Sequence, residues 1–237
     1  MLTRLCLLLL LSTPGMALAG SFTVAPVRVQ LAAGQRATSV TLTNVSAEPQ
    51  RIQAEALRWT REGGEDVYHE DAQLLLNPPL FELAPGASQI VRLGFRPGAV
   101  PPADRESAFR VYFQEVPKDK APQGPELRLV LRIGVPVFVA PAQPAGAQLD
   151  WSAGSEAAGQ TRISLTNRGD QHTRISDLKL SQAAMPPAKA DGFTYVFPGE
   201  TYSWLVQTPA LSTGRAVELD ALTDQGPVHV QLPATAH

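Results

Sequence analysis

The side chains best suited to covalent or metal chemistry are few in this sequence and poorly spaced for it. The four His residues stand at 69, 172, 229 and 237, and the lone Cys at 6. No HExxH, no CxxC, no GxSxG and no glycine-rich phosphate loop is present. Tyr68-His-Glu-Asp71 gathers metal-ligating types, but a charged run beside a turn is usually solvated. The pattern points away from an enzyme and implies no cofactor. It offers a binding chemistry instead. Leu127, Leu129, Leu131, Ile133, Val135, Val137 and Val139 form an unbroken alternate row. At about 3.3 Å per residue this row runs roughly 40 Å, more than twice a typical strand. Pro136 interrupts it and cannot donate to a ladder, so the strand belongs at an edge or bends there. A long aliphatic edge is an aggregation liability, and keeping one implies pairing with the open edge of another chain. Taken alone, the row fits an ordinary buried strand equally well.

The elements around this row are strands. Ser39-Val-Thr-Leu-Thr-Asn44 alternates, breaks at Val45-Ser-Ala-Glu-Pro49 and resumes at Arg51-Ile-Gln-Ala-Glu-Ala-Leu57. Arg162-Ile-Ser-Leu-Thr-Asn167 breaks at Arg168-Gly-Asp-Gln171 and resumes at Thr173-Arg-Ile175. The segments superpose at an offset of 123, pairing Leu42 with Leu165, Asn44 with Asn167 and Ile52 with Ile175. Downstream of each, a strand enters a Pro-Gly turn, at Pro85-Gly86 and at Pro198-Gly199. Two motifs recurring in order predict an all-β protein of two domains of related design, each read as a β-sandwich from its short alternating strands and joined by a short linker. Phe193, Tyr195, Tyr202 and Trp204, at alternate spacing, are expected in the second core, and Trp59 and Trp151 in their own. Arg105-Glu-Ser-Ala is the one stretch suited to a helical turn.

Residues 1–19 read as a secretory leader: Arg4, an apolar run from Leu5 to Leu11, Pro14-Gly15 and a small-residue end, with cleavage expected after Ala19. The run is too short to span a bilayer, and no later stretch reaches 18 apolar residues, so stable membrane insertion is not expected. The first domain is assigned to 20–141 and the second to 142–237, with Pro141-Ala-Gln-Pro144-Ala-Gly146 between them. The net charge of −2, near −3 without the leader, is too close to neutral for a nucleic-acid binder.

In order along the chain, Val24-Ala-Pro-Val-Arg28 with Leu31 and Gly34, Asn77-Pro-Pro79, Leu83-Ala-Pro-Gly86 with Val91-Arg-Leu93, Arg105-Glu-Ser107, Phe113-Gln-Glu-Val-Pro117 and Phe138-Val-Ala-Pro141 form a series. This series resembles the PapD-like periplasmic chaperones of chaperone–usher pilus assembly. Phe109-Arg-Val-Tyr-Phe113 and the Ile-Gly-Val-Pro-Val-Phe ending look like the archaic branch. The resemblance implies two Ig-like domains set at an angle. The long row would be the last strand of the first domain, lent to pilus subunits whose own Ig-like fold lacks a strand. The subunit is then handed to an outer-membrane usher without nucleotide. Unloaded, the sticky edge offers a second copy a place to pair, as a self-capping dimer. A secreted Ig-like adhesin or surface structural subunit is the alternative reading.

By this resemblance Leu127, Leu129, Leu131 and Ile133 are the donor positions. Their burial would contribute on the order of 6–12 kcal/mol gross, reduced by ordering and desolvation. Two basic residues are expected to hold the subunit's C-terminal carboxylate. Arg28 matches the first, but Pro136 occupies the usual place of the second. Arg110 is the substitute, because a guanidinium fork matches a carboxylate; Arg132 and Arg92 are lesser candidates. Glu106 matches an acidic position suited to an interdomain contact or to the surface. Residues 117–125 read as a loop, and the family's frequent second-domain disulfide cannot form without Cys.

Overall fold

Asn44 and Asn167 close equivalent corners in the two halves of the molecule, and the strands follow from them. The computed structural model describes residues 21–99, 101–117, 129–156, 159–183, 185–212, 214–233 and 235–236. The leader and Leu127 lie outside the described residues, as does most of the 117–125 loop. Asn44 Oδ1 accepts from the Ser46 N–H, and its Nδ2 donates to the Glu48 and Leu83 carbonyls. Asn167 Oδ1 accepts from the Gly169 N–H, and its Nδ2 donates to the Gln171 and Val196 carbonyls. Each side chain thus satisfies the backbone of the turn behind it and ties it to a strand opposite. The Pro-Gly turns repeat as well: Gly86 and Gly199 have φ of 72° and 79° and donate to the Asn44 and Asn167 carbonyls.

The first sandwich comprises β1 (Phe22–Ala25), β2 (Val29–Leu31), β3 (Ala37–Asn44), β4 (Gln50–Glu62), β5 (Glu65–Glu70), β6 (Leu74–Asn77), β7 (Leu80–Leu83), β8 (Ser88–Phe95), β9 (Ser107–Glu115) and β10 (Arg132–Val139). One sheet runs β1-β3-β8-β6, and the other β2-β10-β9-β4-β5 with β7 pairing β4. Alternate residues interleave between them, among them Leu42, Ile52, Leu93, Val111 and Phe113. The chain changes sheets after β1, so Val27 and Arg28 sit on the crossover into β2.

The second sandwich comprises β11 (Leu149–Glu156), β12 (Gln160–Asn167), β13 (Thr173–Ser181), β14 (Ala188–Val196), β15 (Thr201–Gln207), β16 (Ala216–Thr223), β17 (Gly226–Pro233) and β18 (Thr235–Ala236). Its sheets run β15-β12-β11-β18 and β14-β13-β16-β17. Leu165, Ile175, Leu180, Val196 and Leu219 fill the core, with Trp151 at its margin. Among the described residues there is no helix, and the turn expected at Arg105 is a bend leading into β9.

Two expectations about aromatics are corrected. On β14 the core-facing row is Ala188, Ala190 and Val196, so the bulkier Phe193 and Tyr195 point the other way, and Phe193 is 60% exposed. Trp59 is buried, but outside the sandwich core. It lies where the domains meet, edge-on to Tyr195 and Phe197 at 5.3 and 4.8 Å. Tyr202 and Trp204 pack at the margin of the second core.

Candidate functional site

The final strand of the first sandwich is only partly covered. β10 pairs antiparallel with β9 along its whole length, from Arg132↔Gln114 to Val139↔Ser107. On its other side β2 reaches only Val137–Val139. Among the described residues, 132–136 therefore have no strand on that side and form an open sheet edge. The Glu115 N–H donates to the Leu131 carbonyl at 3.0 Å, which makes the odd-numbered residues the bonded partners of β9. Antiparallel alternation then turns the Arg132 and Gly134 N–H groups outward. Pro136 also falls on the outward side, so its missing N–H costs the ladder nothing.

The aliphatic row grades from owned to available along this strand. Val135, Val137 and Val139 are buried in the home core, while Leu131 and Ile133 pack half-buried at its margin. Leu129 is 83% exposed, the highest value among the large apolar side chains of the described residues. Among the described residues the regular strand is eight residues, Arg132–Val139, shorter than the thirteen-residue row, and β9 beside it ends at Glu115.

Arg110 stands in the middle of β9, opposite Pro136 on one side and Leu57 on the other. Its guanidinium lies 4.0 Å from the Trp59 ring centroid, a cation–π contact. Gly134 makes room for this course: a Cβ there would come within 3.3 Å of Arg110 Cδ and 2.9 Å of Tyr112 Cε1. Arg110 lines a cavity of about 540 Å³ between the sandwiches, shared with Val27, Trp59, Pro136, Phe193 and Tyr195. Among the described residues it has no ion pair and no hydrogen bond. Its positive charge pulls the neighbouring Tyr68 phenol down, but burial dominates and pushes it up to about 12.

Arg28 is placed differently. It does not line this cavity; Val27 beside it does. Arg28 Nη1 donates to Asp224 Oδ2 of the second domain at 3.1 Å. Arg132 pairs with Glu55 and stacks over Tyr112, and Arg92 is exposed on β8 in the other sheet. Of the four Arg candidates, only Arg110 lines the cavity.

The seam between domains is built from groups that sequence reasoning mostly missed. Glu106 is buried, with Oε1 2.6 Å from His172 Nδ1 and accepting the His172 backbone N–H. This selects the interdomain option for Glu106. The His172 ring stacks on Phe138 at 3.6 Å, and its Nε2 is 3.5 Å from Asp224. Arg61, half-buried, donates to Thr194 Oγ1 and to the Tyr195 and Gly64 carbonyls, and pairs with Asp66 and Glu200. Asp66 and Gly64 hold Arg61 within its own hairpin and Asp224 faces His172 from its own domain, but the bonds of Arg61 to Thr194 and Tyr195 and of His172 to Glu106 arise only from the juxtaposition of the two domains.

A strand edge left open beside a cleft holding an unpaired guanidinium sets the frame for comparison with known proteins. Residues 21–145 match the pili and flagellar-assembly chaperone model, PapD N-terminal domain. The chain belongs to this PapD chaperone family. Among curated relatives, the chaperone protein FimB/FhaD of Bordetella pertussis is 30% identical over 128 residues, 51% of each chain. The uncharacterized fimbrial chaperone YcbF of Escherichia coli K12 is 27% identical over 159 residues, 65% of each. The match thus spans about half the length of the first relative and under two thirds of the second. In fold, the chain resembles one from the CsuC–CsuE chaperone–tip adhesion subunit complex of Acinetobacter baumannii archaic Csu pili. The TM-score is 0.66 at 20% identity, covering 91% of this chain and 100% of that one. A chain from the Salmonella enterica SafA pilin–SafB chaperone complex gives 0.64 at 21% identity, covering 90% and 96%. The two-sandwich architecture expected from the repeats, and the PapD-type fold that the resemblance implied, are observed.

Proposed function

We propose that this protein is a periplasmic, ATP-independent chaperone of the archaic chaperone–usher branch. It holds pilus subunits by lending them β10 and passes them to an outer-membrane usher. The observation that carries this reading is the open edge at 132–136 leading back to the exposed Leu129, next to the cleft of Arg110. A subunit strand paired on that edge receives the outward N–H groups of Arg132 and Gly134. The aliphatic row, Leu127, Leu129, Leu131 and Ile133, fills the subunit's open core. The subunit's terminal carboxylate reaches Arg110, whose forked donors are free to form two parallel bonds. Arg28, with one nitrogen engaged by Asp224, keeps its other donors for the same chain end and fixes the domain angle. The leader, cleaved after Ala19, directs the chain to the periplasm. The unloaded edge pairs with a second copy.

Coexpression with an Ig-like subunit encoded beside the gene tests this reading. Leu129→Glu should abolish the stoichiometric complex without lowering the chaperone's own melting temperature, because the side chain is exposed at home. Arg110→Ala should weaken capture about tenfold or more, and Arg110→Lys should restore part of it. Complexes that survive Leu129→Glu would refute strand donation. Normal capture by Arg110→Ala would refute the anchor alone.

A further inference from the structure

We propose that the cleft reads the last side chain of the polypeptide it captures as well as its carboxylate. Val27 and Phe193 form an apolar subsite for a branched aliphatic or aromatic C-terminal residue. The inference rests on the carboxylate reading of Arg110.

Val27 is 76% exposed and Phe193 60%, and both line the cavity that holds Arg110. They come from different sandwiches, Val27 from the crossover before β2 and Phe193 from β14. Single exposed apolar residues are ordinary on a protein surface. Two on the walls of one cavity, around an unpaired cation, make a mixed site in which charge fixes orientation and apolar walls supply contact. Phe193 is held in its place: the Arg174 guanidinium covers its ring at 4.4 Å, and Tyr195 meets it edge-on at 6.1 Å.

Charge complementarity selects the occupant. The one acid among the described residues of the cavity wall, Asp66, is taken by Arg61 at 3.2 Å, which leaves Arg110 as the wall's cation without an ion pair among the described residues. An α-carboxylate attached directly to an apolar residue satisfies both the cation and the walls. Arg110, Val27 and Phe193 share the walls of one cavity of about 540 Å³, within the range of small-ligand pockets. The terminal side chain is therefore within reach of Val27 and Phe193 while its carboxylate is on Arg110.

The test uses the full mature chain and four N-acetylated tripeptides, Gly-Gly-Phe and Gly-Gly-Ser, each as free acid and as amide. Binding is followed by amide chemical shifts in NMR. The Phe acid should bind about tenfold more tightly than the Ser acid, and each acid more tightly than its amide. The double variant Val27→Ser with Phe193→Ser should bring the Phe-to-Ser ratio near one while keeping the preference for acid. Both side chains are exposed, so an unchanged spectrum elsewhere verifies the variant's fold. Equal binding of the two acids, or a Phe preference that survives the double variant, would overturn the subsite and leave the carboxylate reading standing. Acids and amides binding alike, or no peptide binding, would overturn both.

Discussion

Glu200 illustrates how single residues respond to the meeting of the two sandwiches. Burial holds its carboxyl above the ordinary value of 4.5, outweighing the bond from the Phe197 N–H and the attraction of Arg61. A carboxyl raised in the folded state binds more protons there than in the unfolded chain. Its contribution to stability is therefore lost as pH rises from about 4.5 through the folded-state value. Glu200→Gln should flatten that part of the pH profile of the urea midpoint, and an unchanged slope would count against the assignment. Arg110 shows the opposite economy. Among the described residues its charge has no ion pair and rests against the Trp59 ring, in space that the missing Cβ of Gly134 leaves open.

Among the elements, the paired corners of Asn44 and Asn167 make the sharpest prediction. Asn44 makes three side-chain bonds to buried or half-buried backbone and Asn167 four, so either Ala variant leaves several backbone groups unmatched. Each should cost about 3 kcal/mol, and the loss should fall on the unfolding transition of its own domain, resolved by calorimetry. These corners were legible in the sequence, because a turn closed by an Asn side chain leaves a local signature at fixed spacing. The strand edge was legible too, through Pro136 and the length of the aliphatic row. The facing of β14 was not. Aromatic bulk suggested that Phe193 and Tyr195 were core, whereas the smaller row of Ala188, Ala190 and Val196 is inward. Parity along a strand shows which residues share a face; only the tertiary fold decides which face is buried. The seam roles of Arg61 and His172 were illegible for a related reason, since the Thr194, Tyr195 and Glu200 partners of Arg61 and the Glu106 partner of His172 lie in the other domain.

For the whole molecule, the chain of contacts Arg28–Asp224–His172–Glu106 runs across the seam between the sandwiches and is expected to hold their angle. Asp224→Ala removes the shared carboxylate and should broaden the distribution of domain orientations seen by small-angle scattering, with both sandwiches still folded. An unchanged distribution would assign the angle to the aromatic contacts of Trp59 and Phe138 instead. The cleft matters only if the strand beside it is lent, and amide hydrogen exchange reads that directly, residue by residue. In the free chain, the N–H groups of Ile133 and Val135 should be protected by β9, while those of Arg132 and Gly134 exchange quickly. In a stoichiometric complex with a subunit, Arg132 and Gly134 should become protected as well. If these two amides still exchange at the free rate in the loaded complex, no foreign strand lies on β10 and the account of strand donation is wrong.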